Sequence, residues 1–166
     1  TIQTMGFRGE ALASIAAVSK ITLKTRPIGS GEGTIVRIAD GSILEHGPAG
    51  CPEGTSILVE QLFYNTPARY KFLKKDSTES SYISDIMERF ILGRPDVSFR
   101  LFQNGQEMLH SPGNNDLKSA IFSVYGKSVT QALIPVSYQS EKVSIEGFIG
   151  KPEIGRNSRQ YQSFFI

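Results

Sequence analysis

Two turn dipeptides, Asp40-Gly41 and Asn104-Gly105, constrain the fold of this chain more than any other feature of its sequence. Each stands between two segments in which apolar and polar residues alternate, and a two-residue turn of this composition joins antiparallel strands. The sequence therefore predicts two hairpins, and we expect their strands at about residues 34–39, 42–45, 97–101 and 106–110. Hairpins mixed with helices favour a layered α+β sandwich over a regular doubly wound sheet.

Helical and strand periodicities alternate along the rest of the chain. Leu12, Ile15 and Ala16 share one helical face, whereas Ile21, Leu23 and Thr25 alternate with polar residues as in a strand that is wet on one face. In all we expect four helices and about nine strands. The remaining elements are a well-buried strand Thr55–Glu60, a short helix Ala68–Leu73 capped by the Thr66 hydroxyl, a longer helix capped by Asp76 or Ser77 with an apolar stripe facing a sheet and an end at Gly93, a helix from Leu117 closed by Gly126, and strands near 129–138, 142–150 and 159–166.

Composition excludes several classes of protein. The 166 residues include one cysteine and two histidines, too few for a disulfide framework or a zinc site, and the formal charge of +2 gives no argument for or against a polyanionic partner. Charged residues interrupt every apolar segment before the roughly 18 residues that a membrane helix needs. We therefore expect no membrane partner and no metal ligands within the chain.

The segment Ser111–Asp116 is the best candidate for a domain junction, because six turn-forming or polar residues separate two patterned regions. We predict one domain over residues 1–110 and the start of a second over residues 111–166. The chain starts at Thr1 and ends in the apolar run Phe164–Ile166. We therefore expect an internal fragment of a longer protein.

The segment Gly6–Leu12 precedes the first predicted helix. Backbone N–H groups and the dipole at a helix N-terminus favour a phosphate, and the two glycines allow close backbone approach. Glycine spacing alone is equally compatible with a helix start that needs glycines only for its turn. The segment is neither a Walker A loop nor a dinucleotide fingerprint.

The residue identities are more specific than the spacing. Gly6-Phe7-Arg8-Gly9-Glu10-Ala11-Leu12 followed by Ala13-Ser14-Ile15 resembles the third ATP-site motif of the MutL family of DNA mismatch repair proteins. The segments Gly54–Val59, Leu62–Arg69 and Lys71–Leu73 are similar to the family's fourth motif and the residues after it. Two long motifs in the right order point to this family within the gyrase, Hsp90, histidine kinase and MutL (GHKL) superfamily.

The resemblance implies a partial GHKL ATPase-type α/β sandwich, with motifs three and four, followed by the start of a ribosomal-protein-S5-like α+β domain. It also implies that the lid end and helix start wrap the ATP triphosphate, and that Thr55 helps to hold adenine through a water and a carboxylate partner. The side chain of Arg8 either contacts the ligand or pairs with Glu10. The residues predicted to bind the cofactor are Gly6, Phe7, Arg8, Gly9, Glu10, Ala11, Leu12 and Thr55.

The family's first and second motifs, which carry the general-base Glu, the Mg²⁺-binding Asn and the adenine-binding Asp, do not occur in this sequence. We therefore assign no catalytic residue and no metal ligand here. The fragment alone is expected to bind no cofactor and to be inactive, although its parent would use ATP and Mg²⁺.

By resemblance, the parent hydrolyses ATP slowly, dimerises through its N-terminal region, binds DNA and couples a MutS-type mismatch recognition protein to a downstream endonuclease or helicase. We expect a cytoplasmic, nucleoid-associated bacterial protein. The alternatives are an ATPase-region fragment of a type II topoisomerase and a nucleic-acid-binding module without enzymatic activity. The basic run Arg69, Lys71, Lys74 and Lys75, with Tyr70 and Phe72 between, suits DNA phosphates, but a solvated helix end is the simpler interpretation.

Overall fold

A four-stranded antiparallel sheet organises the first of two units in the computed structural model, which describes residue 6 and residues 9–166, Gln160 by its backbone only. The units comprise Thr1–Leu73 and Lys74–Ile166. The sheet order is β3-β2-β1-β4, so that β1 pairs with both β2 and β4. The strands are β1 Lys20–Arg26, β2 Gly33–Ala39, β3 Ser42–Ala49 and β4 Gly54–Glu60.

The predicted Asp40-Gly41 turn joins β2 to β3. Asp40 has φ 51° and Gly41 has φ 71°, the pair of positive values that a type I′ hairpin turn requires. Two helices complete the unit, α1 Ala11–Ala16 before β1 and α2 Pro67–Tyr70 after β4. The buried apolar residues of this unit are Ala16, Val18, Ile21, Ile35 and Ala39.

The second unit consists of two hairpins and two long helices. The helix α4 contacts both α3 and β6, and α3 contacts β5, which buries Ile91, Leu92, Ala120 and Ile121. Asp116 caps α4 by accepting from the backbone N–H groups of Lys118 and Ser119, and Gly126 kinks this helix with φ 76°. The elements are α3 Asp76–Gly93, β5 Ser98–Gln103, β6 Gln106–Pro112, α4 Leu117–Gln131, β7 Leu133–Gln139 and β8 Ser144–Gly150, followed by 3₁₀ turns at Pro152–Ile154 and Arg159–Tyr161.

The expectation of a mixed α+β fold is confirmed, but the strand β4 differs from its prediction as a well-buried strand. It lies at an edge of the sheet, and all seven of its residues are exposed, including Ile57 at 43% and Leu58 at 52%. A run of β-branched residues indicates that a segment suits a strand, but it does not indicate how much of that strand other elements cover. The predicted burial is therefore wrong.

Two boundaries in the first unit also differ. The strand β3 continues to Ala49, beyond the end near residue 45 that the sequence predicts, and Pro48 is tolerated there because β3 is an edge strand. Thr66 occupies the N-cap position of α2, but its hydroxyl makes no capping bond and donates to the Phe63 carbonyl at 3.5 Å. The helix α2 ends at Tyr70, and single hydrogen-bonded turns continue to Leu73.

The predictions for the second unit fail at its ends. The helix α3 begins at Asp76 with Lys75 as its N-cap, and Tyr82, Ile83 and Ile86 of its apolar stripe are more than half exposed. Residues 159–166 form a 3₁₀ turn and irregular chain instead of a strand, because a strand needs a hydrogen-bonding neighbour and none of the described strands borders them. The described part of the chain thus has eight strands.

The segment Ser111–Asp116 lies inside the second unit, since Ser111 and Pro112 belong to β6 and Asp116 caps α4. Ser111 is buried, and its hydroxyl accepts from the Phe99 amide at 3.0 Å. Contacts cross this segment, because α4 packs on β6 and α3. The division into domains 1–110 and 111–166 stays a prediction.

The packing around Gly113, between β6 and α4, can be tested by substitution. Its φ is +69°, and a Cβ atom built there would lie 2.3 Å from the Ser98 backbone nitrogen. Gly105, with φ +79° and open space around it, is the matched control. We expect Gly113→Ala to lower the free energy of unfolding by about 1–3 kcal/mol more than Gly105→Ala does, measured by urea denaturation. Equal losses for the two variants would contradict the close packing of β5 against residue 113.

Candidate nucleotide-binding residues

The helix α1 carries the described part of the first predicted motif. Gly9 has φ +67°, which places the chain in the left-handed region one residue before the N-cap Glu10, and the carbonyl of Glu10 accepts from the Ser14 amide at 3.0 Å. Ala11 and Leu12 form the first turn, in which backbone amides have no intrahelical acceptor. Gly6 is described and exposed, whereas Phe7 and Arg8 lie outside the described residues. The arrangement offers backbone donors to an anion at this helix start.

The C-terminal end of α1 is tied to the second motif. The Phe63 amide donates to the Val18 carbonyl at 2.6 Å, and the Asn65 Nδ2 donates to the Ala17 carbonyl at 3.0 Å. The Gly41 amide, from the β2–β3 turn, donates to the Ala16 carbonyl at 3.1 Å. Three carbonyls at the end of one short helix are thereby satisfied by two other segments, and the two motifs meet there.

Asp40 connects these segments through its side chain. Its Oδ1 accepts from the Tyr64 hydroxyl at 2.6 Å and from the Asn65 Nδ2 at 2.8 Å, while the Lys20 Nζ lies 5.3 Å from the centre of the Tyr64 ring. The hydrogen bond from Tyr64, followed by that from Asn65, holds the pKa of Asp40 below its ordinary value. The same contact raises the pKa of Tyr64, because the neighbouring carboxylate opposes a phenolate.

Thr55 lies near the start of β4, directly opposite Thr25 of the central strand β1. The two side-chain oxygens are 2.8 Å apart, and either hydroxyl can donate to the other. Thr34 of β2 is opposite Thr25 on the other side, so three threonines form one row across the sheet. An open groove of about 580 Å³ lies at the Thr34 end of this row, and Ser30, Thr34 and His46 are among the residues that line it.

The structure brings part of the predicted set together and separates another part. Asn65 and the end of α1 are in direct contact, whereas Thr55 contacts Thr25, which is five residues along β1 from Lys20. Five residues of strand correspond to roughly 17 Å. Thr55 and the residues around the end of α1 therefore lie at different ends of β1.

Sequence reasoning missed Asp40 and Thr25 as members of this region. The sequence identifies Asp40 only as a turn residue, although Asp in a hairpin turn has a carboxylate free to accept further bonds. Thr25 was assigned to a half-buried strand, and only the register of β1 with β4 shows that it faces Thr55. A hydroxyl residue on each of two strands is a weak signal until that register is known.

Two further features of the described residues bear on function. None of their helices is long and apolar enough to cross a membrane. Nor do residues 6 and 9–166 contain three or more His, Cys, Asp or Glu side chains grouped so that they could hold a metal ion.

The Asp40 contacts predict a pH-dependent stability. Because the folded-state pKa of Asp40 is lowered, its stabilising contribution is present at neutral pH and is lost as the pH falls below about 4 towards the folded-state value. We expect Asp40→Asn to lower the urea midpoint at pH 7 and to have a smaller effect near pH 2, because protonation of the native carboxyl removes its contribution as the pH falls. Tyr64→Phe should weaken the same pH dependence. An unchanged difference between Asp40→Asn and the native protein at both pH values would contradict this assignment.

Comparisons with known proteins agree with the motifs. Residues 121–166 match the family described as DNA mismatch repair protein, C-terminal domain. Over 165 residues the chain is 44% identical to the DNA mismatch repair protein MutL of Desulforudis audaxviator and 49% identical to that of Clostridium botulinum. These alignments cover 99% of this chain but only 29% and 25% of the two relatives.

Solved structures give the same result. The ATPase domain of Aquifex aeolicus MutL complexed with ADP is 34% identical and matches 78% of this chain and 52% of that chain, with a TM-score of 0.70. A second structure of this domain, described as from a bacterial mismatch repair endonuclease, is 27% identical, covers 93% of this chain and 59% of that chain, and has a TM-score of 0.68. The chain therefore belongs to the MutL family of DNA mismatch repair proteins.

Proposed function

We propose that this chain supplies part of the ATP-binding region of a mismatch repair ATPase. The observation that carries the proposal is its similarity, at 34% identity over 78% of its length, to a MutL ATPase domain complexed with ADP. The chain spans between a quarter and three tenths of the curated relatives compared above. The activity of the whole protein is accordingly part of the proposal.

The helix side of the region is proposed to hold the triphosphate. Gly6, Phe7, Arg8, Gly9, Glu10, Ala11 and Leu12 are the residues assigned to this role. The left-handed backbone at Gly9 and the exposed first turn of α1 support it, since backbone amides bind phosphate oxygens without requiring particular side chains. Thr55, whose side chain is exposed beside Thr25, is assigned to the adenine.

Hydrolysis requires groups that we do not assign to this chain. A general base orients the attacking water and Mg²⁺ neutralises charge on the phosphates. Glu10 is the one carboxylate among the proposed phosphate residues, but it occupies the N-cap of α1, and the described residues contain no group of metal-ligand side chains. The contribution of this chain is to bind and orient the nucleotide.

ATP binding is proposed to act as a switch in the whole protein. Differential contacts of the nucleotide with two conformations would bias dimerisation of the N-terminal regions, and the dimer would bind DNA and couple a MutS-type protein to a nuclease or helicase. The names of the relatives, DNA mismatch repair protein MutL, support this role over that of a type II topoisomerase. We propose a cytoplasmic location for the protein.

The segment Arg69–Phe72 is proposed as a DNA-contact surface of the same protein. All four residues are exposed, with Tyr70 at 60% and Phe72 at 80%. Exposed aromatic rings beside Arg69 and Lys71 suit stacking on bases and contact with phosphates. A solvated helix end, the simpler interpretation, would leave DNA affinity unaffected by changes here.

Gly9 provides the test of nucleotide binding. Gly9→Ala puts a side chain at φ +67°, which strains the backbone at the helix start and should weaken ATP binding at least several-fold in the whole protein, measured by titration calorimetry. Gly29→Ala is the matched control, because Gly29 has φ +77°, open space and a place in the β1–β2 turn. Equal ATP affinity for the two variants would count against the phosphate assignment.

The DNA-contact surface has a separate test. Lys71→Gln and Phe72→Ala should each weaken binding of a single-stranded oligonucleotide, and Lys71→Gln should also reduce the salt dependence by about one counterion. The control is Lys24→Gln, at an exposed lysine of β1. Fluorescence anisotropy of the whole protein at several salt concentrations measures both quantities. Unchanged affinity in the two variants would support the solvated helix end instead.

A further inference from the structure

The threonine row across the sheet contains one hydrogen-bonded pair and one residue outside it. Thr25 and Thr55 have their hydroxyl oxygens 2.8 Å apart, whereas the structure gives the Thr34 side chain no hydrogen bond among the described residues. All three residues occupy the same register row and are joined by the backbone ladders of β1 with β2 and β4. The pair is therefore a specific contact within a row of chemically identical side chains.

A hydrogen bond between two hydroxyls restricts both of them. A threonine hydroxyl has one proton and two acceptor lone pairs, and its proton rotates to suit its partners. Either hydroxyl can be the donor of this pair, and when Thr55 donates to Thr25 its proton is used and it offers only lone pairs to a ligand. Thr25 is half-buried on the central strand and Thr55 is exposed on the edge strand, so Thr55 has the side that a ligand can reach.

We propose that Thr25 is a positioning residue that orients the Thr55 hydroxyl towards a purine base and so contributes to the selection of adenine. The proposal rests on the assignment of Thr55 to the base. Adenine carries an amino donor where guanine carries a carbonyl acceptor, so a Thr55 hydroxyl whose proton is held by Thr25 distinguishes the two bases, and a freely rotating hydroxyl adapts to both.

The test compares isosteric variants in the whole protein. Thr25→Val keeps the shape and strand preference of the side chain but removes its hydroxyl, and Thr25→Ser keeps the hydroxyl. We expect Thr25→Val to reduce the ratio of the dissociation constants for GTP and ATP by about fivefold, the value of one neutral hydrogen bond, and Thr25→Ser to retain the native ratio. Thr34→Val, the same change one strand away in the same row, should leave the ratio unchanged.

The nucleotide ratio separates positioning from a merely structural role, since loss of local structure would weaken ATP and GTP alike. The thermal midpoint of each variant, measured in parallel, identifies a protein that fails to fold. If Thr25→Val leaves the ratio unchanged while Thr55→Val lowers it, the positioning role is overturned and the assignment of Thr55 stands. If Thr55→Val leaves the ratio unchanged, both assignments are overturned. In the Thr55→Val background, Thr25→Val should have no further effect, and an additional loss would also overturn the proposal.

Discussion

The register of the central strand β1 is the constraint on which the first unit depends. This strand pairs with β2 on one side and β4 on the other, and α1 ends only a few residues before it. Because side chains alternate between faces, a shift of one residue in the pairing with β4 would turn Thr25 away from the row and bring Lys24 into its place. Burial of Ile21, which is 3% exposed on the same face as Thr25, opposes such a shift.

The hairpin turn between β2 and β3 connects the sheet to the end of α1. The Asp40 carboxylate and the Gly41 amide both lie in the turn, and they reach the second motif and the end of α1 respectively. Asn65 contacts both partners through one amide nitrogen. The identity of the turn therefore does more than reverse the chain, since it joins the two segments whose residues resemble ATP-site motifs.

The sequence predicted most of the elements, because their signals are local. The Asp40-Gly41 and Asn104-Gly105 turns lie where alternating segments indicated, and both dipeptides have the positive φ values that their composition favours. The failures concern long-range partners. The exposure of β4, the absence of a strand at residues 159–166 in the described structure and the contacts of α4 with β6 depend on which elements lie side by side, and local periodicity carries no such information.

The candidate site shows the same contrast between local signals and long-range contacts. Residue identities at Gly6–Leu12 and Leu62–Arg69 were sufficient to identify the family, but the contribution of Asp40 and Thr25 follows from side-chain contacts between segments distant in sequence. Thr25 and Thr55 are separated by 30 residues and meet only through the strand pairing. Positioning residues of this kind become visible when the register is known.

A crystal structure of the whole protein with a non-hydrolysable ATP analogue would test the central claim most directly, through the distance from the Thr55 Oγ1 to the base. We expect the adenine to lie beside the Thr25–Thr55 pair, with the Thr55 oxygen about 3 Å from a base nitrogen or joined to it through one ordered water. A base bound elsewhere, with the Thr55 hydroxyl contacting neither the base nor a bridging water, would contradict the assignment.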